Sequence, residues 1–296
     1  MNFDALIIGG SFAGLAAAMP LVRARRKVLL IDGGTPRNRF SDASHGFFGL
    51  DGRSPAEISK LGLEQLGRYS TFKHLPAQAD SVKGDLDAFV VSVGADIYRA
   101  RRVVFATGVT DVMPDIEGFA ERWGRSIVHC PYCHGYETAD RPTAVLYATP
   151  GSLHQVRMLQ DWTGDVTLLT NGHAVPPEEI QALHAVGIET VEGRVLRLEG
   201  DGRELETIHL EGGRNLTARV LYAAPFQKPT SDLPEQLGCA YTDGLLGPIL
   251  QVDGGQMTTV PGAYAAGDAA RAMQNATFAV NDGSWAGINV HRSLML

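Results

Sequence analysis

The chain has 296 residues, 44% of them hydrophobic, with a formal net charge of −7. That length suits two domains of ordinary size. The acidic balance, spread without charge blocks, argues against nucleic acid or an anionic membrane as the main partner. No apolar run approaches the ~20 residues of a membrane span, and no charged leader with a cleavage site precedes the first strand. A cytoplasmic location is therefore expected. The three cysteines are too few for a disulfide scaffold.

Positions 4–8, Asp-Ala-Leu-Ile-Ile, read as a buried parallel strand. Gly9-Gly10-Ser11-Phe12-Ala13-Gly14 follows, then a helix over 15–25 and a strand over 27–31 that ends at Asp32. This is the βαβ dinucleotide fingerprint with an acid at the tip of its second strand. Gly9 permits the tight turn and Gly14 the close packing of helix on strand. Ser11 takes the middle glycine position and is small enough to keep the approach open. Phe12 and Ala13 open the helix whose N–H groups meet a pyrophosphate. Asp32 accepts from ribose hydroxyls, which favours an unphosphorylated ribose and hence FAD or NAD.

Next comes a turn with Arg37, Asn38 and Arg39 beside the expected diphosphate, although a solvated loop is the plainer alternative. Positions 41–51 show no period and hold His45-Gly46-Phe47-Phe48-Gly49, a stretch able to line a flat aromatic ligand. An amphipathic helix is expected over 55–69, a hairpin over 88–93 and 96–100 turning at Gly94, and a separate buried strand over 102–106 closed by Thr107-Gly108.

Two of the cysteines stand in His129-Cys130-Pro131-Tyr132-Cys133-His134-Gly135-Tyr136-Glu137. Cysteines two residues apart can close a small disulfide ring, and one thiol pKa in such a ring falls well below its free value. C-x-x-C-H also serves covalent haem attachment, which would require export. A zinc site would need side chains of adjacent residues to converge, and no second Cys pair completes a tetrahedron. A structural role is the remaining alternative; the redox dithiol leads. Cys239, after an expected loop at 228–237, reads as a small buried hydrophobe, and Trp123, Trp162 and Trp285 as core or interface residues.

Beyond the dithiol, a strand over 143–147 is followed by Ala148-Thr149-Pro150-Gly151-Ser152-Leu153, and a strand over 165–169 by Thr170-Asn171-Gly172. Near the end, Gly262 to Ala270 contains Gly267-Asp268, and Gln274-Asn275-Ala276-Thr277 leads into a helix ending near His291. Asp268 as a simple helix cap is the bland alternative.

The Ala106-Thr107-Gly108 strand end, the N-terminal fingerprint and Gly267-Asp268 together resemble the two-dinucleotide-domain flavoprotein reductases. The dithiol between them narrows the resemblance to the low-molecular-weight thioredoxin reductase type. It implies an α/β fold of two Rossmann-like dinucleotide-binding domains, the second inserted in the first (three-layer ββα type). The FAD-binding domain would span 1–112 and 242–296, and the insert, with the dithiol, 113–241; the usual assembly is a homodimer. Asp268, after Gly267, would bond the ribityl chain of FAD. The helix led in by Asn275, Ala276 and Thr277 would turn its positive end to the flavin N1–C2=O edge.

The pattern breaks in two places. Ala148, Pro150 and Leu153 occupy the three small-residue positions of the insert's own nucleotide fingerprint. Pro150 removes an N–H and Leu153 adds bulk. Thr170-Asn171-Gly172 replaces the arginine-bearing run that holds a 2′-phosphate in those reductases. Together these argue that NADPH binds poorly or not at all, against the alternative that backbone contacts still hold a pyridine nucleotide. The second break is His134, where those reductases carry Asp; an imidazole accepts a proton near neutrality. The whole run resembles the FAD-dependent dithiol oxidases of the gliotoxin oxidase type, which pass electrons to oxygen. The resemblance implies a small-molecule or protein dithiol substrate attacking Cys130, Cys133 facing the flavin and His134 as base. His129 is then either a second acid/base or a packing residue. A disulfide reductase fed by NAD(P)H or ferredoxin, and a flavin redox sensor without turnover, are the alternatives.

Overall fold

The computed structural model describes residues 2–295, which divide into two compact units. The first comprises Met1–Arg39, Phe47–Asp111 and Gln227–Leu296; the second comprises Phe40–Gly46 and Val112–Phe226.

In the first unit the strand Asn2–Ile8 is buried along most of its length, because a parallel strand is covered on both faces. It pairs in parallel with Val28–Ile31 on one side and Asp96–Phe105 on the other, and Val28–Ile31 pairs with Phe72–Leu75. Positions expected as two separate strands run on as one, Asp96–Phe105. Its first half pairs antiparallel with Phe89–Val93, and its last residues pair in parallel with Ala263–Ala265. The Arg101-Arg102 step does not break the strand. The buried Arg102 guanidinium donates to Asp87 at 2.8 Å, to the Ser293 hydroxyl at 2.8 Å and to the Ser293 carbonyl at 2.6 Å.

Helix Phe12–Arg23 packs against this sheet, and helix Ala276–Ser293 lies on it. Gly283 and Gly287, one turn apart, make the approach possible. A Cβ would fall 2.1 Å from the Ala13 carbonyl oxygen at Gly283 and 2.3 Å from that of Ala17 at Gly287. Helix Pro55–Leu66 starts at a capping box in which Ser54 and Glu57 satisfy each other's amides, and it stops at Gly67 rather than at position 69.

The second unit is built on a parallel sheet in the order Glu189–Val191, Val166–Leu169, Thr143–Leu146, Val220–Tyr222, Ile127–Val128. An antiparallel meander, Val195–Glu199, Thr207–Leu210 and Asn215–Thr217, accompanies it. Helix Gly151–Met158 joins two neighbouring parallel strands, so this unit repeats the βαβ plan of the first.

Two features of the division follow from contacts distant in sequence. Residues 227–241, drawn into the insert from the sequence, cluster with the first unit. The Gln227 amide donates to the Leu246 carbonyl at 2.7 Å, and Leu233, Leu237 and Cys239 join the first unit's core. The stretch expected as a loop at 228–237 contains the strand Phe226–Pro229 and the helical turn Leu233–Gln236. In the other direction, Phe40–Gly46 straps onto the second unit. Arg203 donates to the Phe40 carbonyl at 2.7 Å, and Arg125 pairs with Asp42.

Candidate active site

In the first unit the fingerprint folds into a cradle. Gly9 has a left-handed φ of +105°, and a Cβ there would lie 2.2 Å from the Ala106 carbonyl oxygen; at Gly14 it would lie 1.8 Å from that of Gly9. Only glycine admits this turn, which sets the helix start directly against the strand. Ser11 stands at the N-cap, yet no side chain caps the helix and its first turn holds no acidic residue. The leading amides of Phe12 and Ala13 are thus open to an anion. Asp32, at the tip of the second strand, brings its carboxyl against Gly10, where a Cβ would fall 2.6 Å from it. Among the described residues no side chain pairs with Asp32, which leaves it for ribose hydroxyls. This donor set fits the adenosine diphosphate part of FAD.

Other expected cofactor residues have contacts of their own. Arg37 sits in the single helical turn Arg37–Phe40, and its guanidinium grips two carboxylates. It donates to Asp111 through Nε at 2.8 Å and Nη2 at 2.6 Å, and to Asp268 through Nη1 at 3.0 Å; Gln274 accepts a further bond. Burial pushes the Asp268 carboxyl above its ordinary value, with Arg37 opposing. Arg39 turns back to its own Pro36 carbonyl at 2.9 Å, and Asn38 lies half-buried in the same turn. Gly267 opens the turn Gly267–Ala269, and Thr107-Gly108 follows the long strand. Asn275 caps the last helix by accepting from the Thr277 amide at 2.7 Å, with Ala276 as the first helical residue. Asp111 went unnoticed in the sequence, where nothing local marks it, and Gln274 reads there only as the lead into the last helix.

In the second unit, Cys130 is the N-cap of the short helix Pro131–His134 and Cys133 lies in its last turn. Their sulfurs stand 2.6 Å apart. The Cys130 thiol is lowered to about 7, chiefly by the Cys133 thiol that donates to it, with the Cys133 and Tyr132 amides adding to the effect and burial opposing. The segment is braced from outside. Gln155 donates to the His129 carbonyl at 2.7 Å, and Thr138 donates to the His134 carbonyl at 2.9 Å while meeting the buried Tyr222 hydroxyl at 3.2 Å. Trp162 meets the Tyr132 ring edge-on at 5.8 Å and closes over Gly135, where a Cβ would lie 2.8 Å from the indole. Tyr132 and Tyr136, one and three residues from Cys133 in the chain, are 70% and 85% exposed.

His134 is half-buried. Burial pushes its imidazole below the ordinary value, Glu137 pulls it up and His45 pushes it down. His45, expected as a cofactor ligand, belongs with the dithiol unit, and its Nδ1 lies 3.4 Å from Glu137 Oε1. Its place follows from the Phe40–Gly46 strap, which sequence distance conceals. Among the described residues no group of three or more His, Cys, Asp or Glu side chains could hold a metal ion.

The second βαβ turn differs sharply from the first. Ser152 Oγ accepts the Ala148 amide at 3.1 Å and the Thr149 amide at 3.5 Å, and Thr149 Oγ1 accepts that of Gly151 at 3.2 Å. The Ser152 and Leu153 amides donate to the Thr149 and Pro150 carbonyls at 2.9 and 3.1 Å, and Pro150 has no N–H to offer. Every amide of the turn is thus taken within the turn. At the end of the neighbouring strand, the Asn171 side chain accepts the Val195 amide at 3.0 Å. A hollow there of about 360 Å³ is lined by Thr170, Gly172, His173, Ile180 and the acidic Glu192.

Cys239 is buried, its thiol 3.4 Å from the Thr258 hydroxyl. Trp123 lies in the second unit's core, whereas Trp285 is exposed and donates to the Gly254 carbonyl at 2.6 Å.

Comparison with known proteins agrees with this geometry. The pyridine nucleotide-disulphide oxidoreductase family model matches residues 3–283. A protein named thioredoxin reductase tcpT, from Claviceps purpurea, is 34% identical over 96% of this chain and 92% of its own. One named thioredoxin reductase sirT, from Leptosphaeria maculans, is 30% identical over 98% of this chain and 93% of its own. The crystal structure of an oxidoreductase from Agrobacterium tumefaciens superposes with a TM-score of 0.95 at 39% identity, covering 100% of this chain and 99% of that one. Proteins of this family are typically flavin-dependent. A Rossmann-like βαβ cradle, a repeated βαβ unit and a C-x-x-C dithiol in one chain are what the family match would require, and the chain belongs to the pyridine nucleotide-disulphide oxidoreductases, in their thioredoxin-reductase-like branch.

Proposed function

We propose that the protein is an FAD-dependent dithiol oxidase, which closes a disulfide on a small-molecule or protein dithiol and passes the electron pair to oxygen. The observation that carries this reading is the contrast between its two βαβ turns. One presents open amides and a free acid. The other has consumed its amides internally and has Thr170-Asn171-Gly172 in place of a phosphate-binding basic run. A pyridine nucleotide would have to break those bonds to gain its own.

The chemistry follows from the dithiol segment in its oxidised, disulfide form. His134, neutral at pH 7 because burial holds its pKa down, takes a proton from one substrate thiol. The thiolate attacks Cys130, the bond between Cys130 and Cys133 breaks, and Cys133 leaves as thiolate. The second substrate sulfur then displaces Cys130, and the electron pair of the broken mixed disulfide stays on the Cys130 sulfur. Bound FAD supplies a two-electron acceptor that oxygen can regenerate. Overall the dithiol loses two protons and two electrons, and oxygen gains both as hydrogen peroxide. The exposed Tyr132 and Tyr136 give the substrate an aromatic surface. We propose a cytoplasmic homodimer as the working form.

The name thioredoxin reductase carried by the relatives favours a second reading, a disulfide reductase fed by NAD(P)H or ferredoxin. Anaerobic titration separates the two. Bleaching of the flavin by dithiothreitol, with yellow colour restored by air and no response to NADPH, supports the oxidase. Bleaching within seconds by stoichiometric NADPH replaces it with the reductase. If neither reductant acts and the disulfide persists, the protein is a sensor.

A further inference from the structure

Closing one disulfide on a substrate removes two thiol protons, and His134 can hold only one at a time. We propose that His45 and Glu137 form a second acid–base couple beside the dithiol, which takes the second proton while His134 takes the first. The proposal rests on the dithiol chemistry above and adds a residue pair to it.

Geometry is its foundation. His45 Nδ1 approaches Glu137 Oε1 to 3.4 Å, three residues beyond His134 and inside the dithiol segment. The side chains are 24% and 39% exposed, so a proton held there can leave to water. His45 is delivered by a strap built for placement. Arg125 bridges Asp42 to Glu204, and Arg203 donates to the carbonyls of Phe40 at 2.7 Å and Trp123 at 3.2 Å. The ionisable groups around His134 are His45 on the strap, Glu137 and the two thiols on its own segment, and Tyr222, whose hydroxyl reaches Thr138. Glu137 and His45 also act on the His134 charge in opposite senses, Glu137 favouring it and His45 opposing it.

The steps balance as follows. The first thiol gives its proton to His134, its sulfur bonds to Cys130, and the electron pair of the broken disulfide stays on Cys133. The remaining thiol gives its proton to the His45–Glu137 couple. Its sulfur bonds to the substrate sulfur held on Cys130, and the pair from the broken mixed disulfide stays on Cys130. Two protons then rest on two imidazoles and two electrons on the enzyme sulfurs, for transfer to FAD.

The test mixes oxidised holoenzyme with dithiothreitol anaerobically, quenches with acid and weighs the protein for its mixed disulfide. A general base contributes about 10²–10⁴-fold, so His45→Gln and Glu137→Gln at pH 7 should accumulate at least roughly tenfold more adduct than wild type. The excess should vanish above pH ~9, where thiols ionise unaided. His134→Gln should instead slow adduct formation without accumulation. Variants must retain bound flavin, and His45→Asn serves as a second substitution. Adduct at the wild-type level in flavin-loaded His45 and Glu137 variants overturns the couple alone. A wild-type holoenzyme that leaves dithiothreitol unoxidised overturns the parent reading and the couple with it.

Discussion

Replacing Arg37 with Met removes the cation that two carboxylates share in the first unit. The Asp111 side chain is only 4% exposed, and Arg37 and Asp268 are 22% and 23% exposed. Without the guanidinium, among the described residues Asp111 keeps one long contact, from Gln227 Nε2 at 3.4 Å, and Asp268 keeps no cation. Breaking a buried pair by removing one partner costs about 3–5 kcal/mol. Partial exposure on the Asp268 side places this case near the lower end, about 3 kcal/mol. The sign with pH is fixed by Asp268. Its folded-state pKa is already raised by burial, and loss of Arg37, which opposes that rise, lifts it further. Between the unfolded value of ~3.9 and the raised folded value, the folded chain holds a proton that the unfolded chain has released. Stability therefore falls as pH rises through that window and levels off above it. The variant's deficit should be greatest at pH 7–8 and smaller at pH 5. Urea unfolding followed by tryptophan fluorescence at both pH values measures this. A loss below about 1 kcal/mol, or a deficit equal at pH 5 and pH 8, would refute the buried-pair argument.

Three further outcomes test the dithiol segment. Alkylation of Cys130 in the reduced protein should half-titrate near pH 7, and Cys133→Ala, which leaves no side-chain donor, should move that midpoint up towards the free-thiol value of ~8.5, because the Cys133 thiol is the main cause of the depression; an unmoved midpoint would deny it. Gly135→Ala puts a methyl 2.6 Å from the Pro131 carbonyl oxygen and 2.8 Å from the Trp162 ring, and should cost about 1–3 kcal/mol in thermal unfolding. An unchanged midpoint there would mean that the segment has room to relax. His134→Gln should slow dithiol oxidation about 10²–10⁴-fold and abolish the acid limb of the wild-type pH–rate profile, where protonation silences the base; a profile identical to wild type would remove His134 from the chemistry.

What could be read from the residues alone was local. Gly9, Gly14 and Asp32 stand within one βαβ unit, and the spacing of Cys130 and Cys133 already brings two sulfurs within bonding reach, because neighbours along the chain need no tertiary information to meet. Pro150 and Leu153 likewise signalled a damaged nucleotide turn. The turn's self-sufficiency was not visible, since a serine at position 152 caps nothing until its hydroxyl rotates onto the Ala148 amide. Positions 96–100 and 102–106 read as separate strands in the sequence; they run on as one because the buried Arg102 guanidinium, costly unless paired, finds Asp87 and Ser293, which lie far apart in sequence.

The chain order therefore determined the family's plan, its dinucleotide cradle and its pair of sulfurs, all properties of short segments with a defined backbone path. Only the folded chain decided which charges meet. Arg37 finds Asp111 and Asp268, His45 arrives beside Glu137 on a strap, and residues 227–241 join the first unit rather than the second. Each of these is a contact between residues remote in sequence. Such contacts are selected by which polar groups must be neutralised once burial has removed their water.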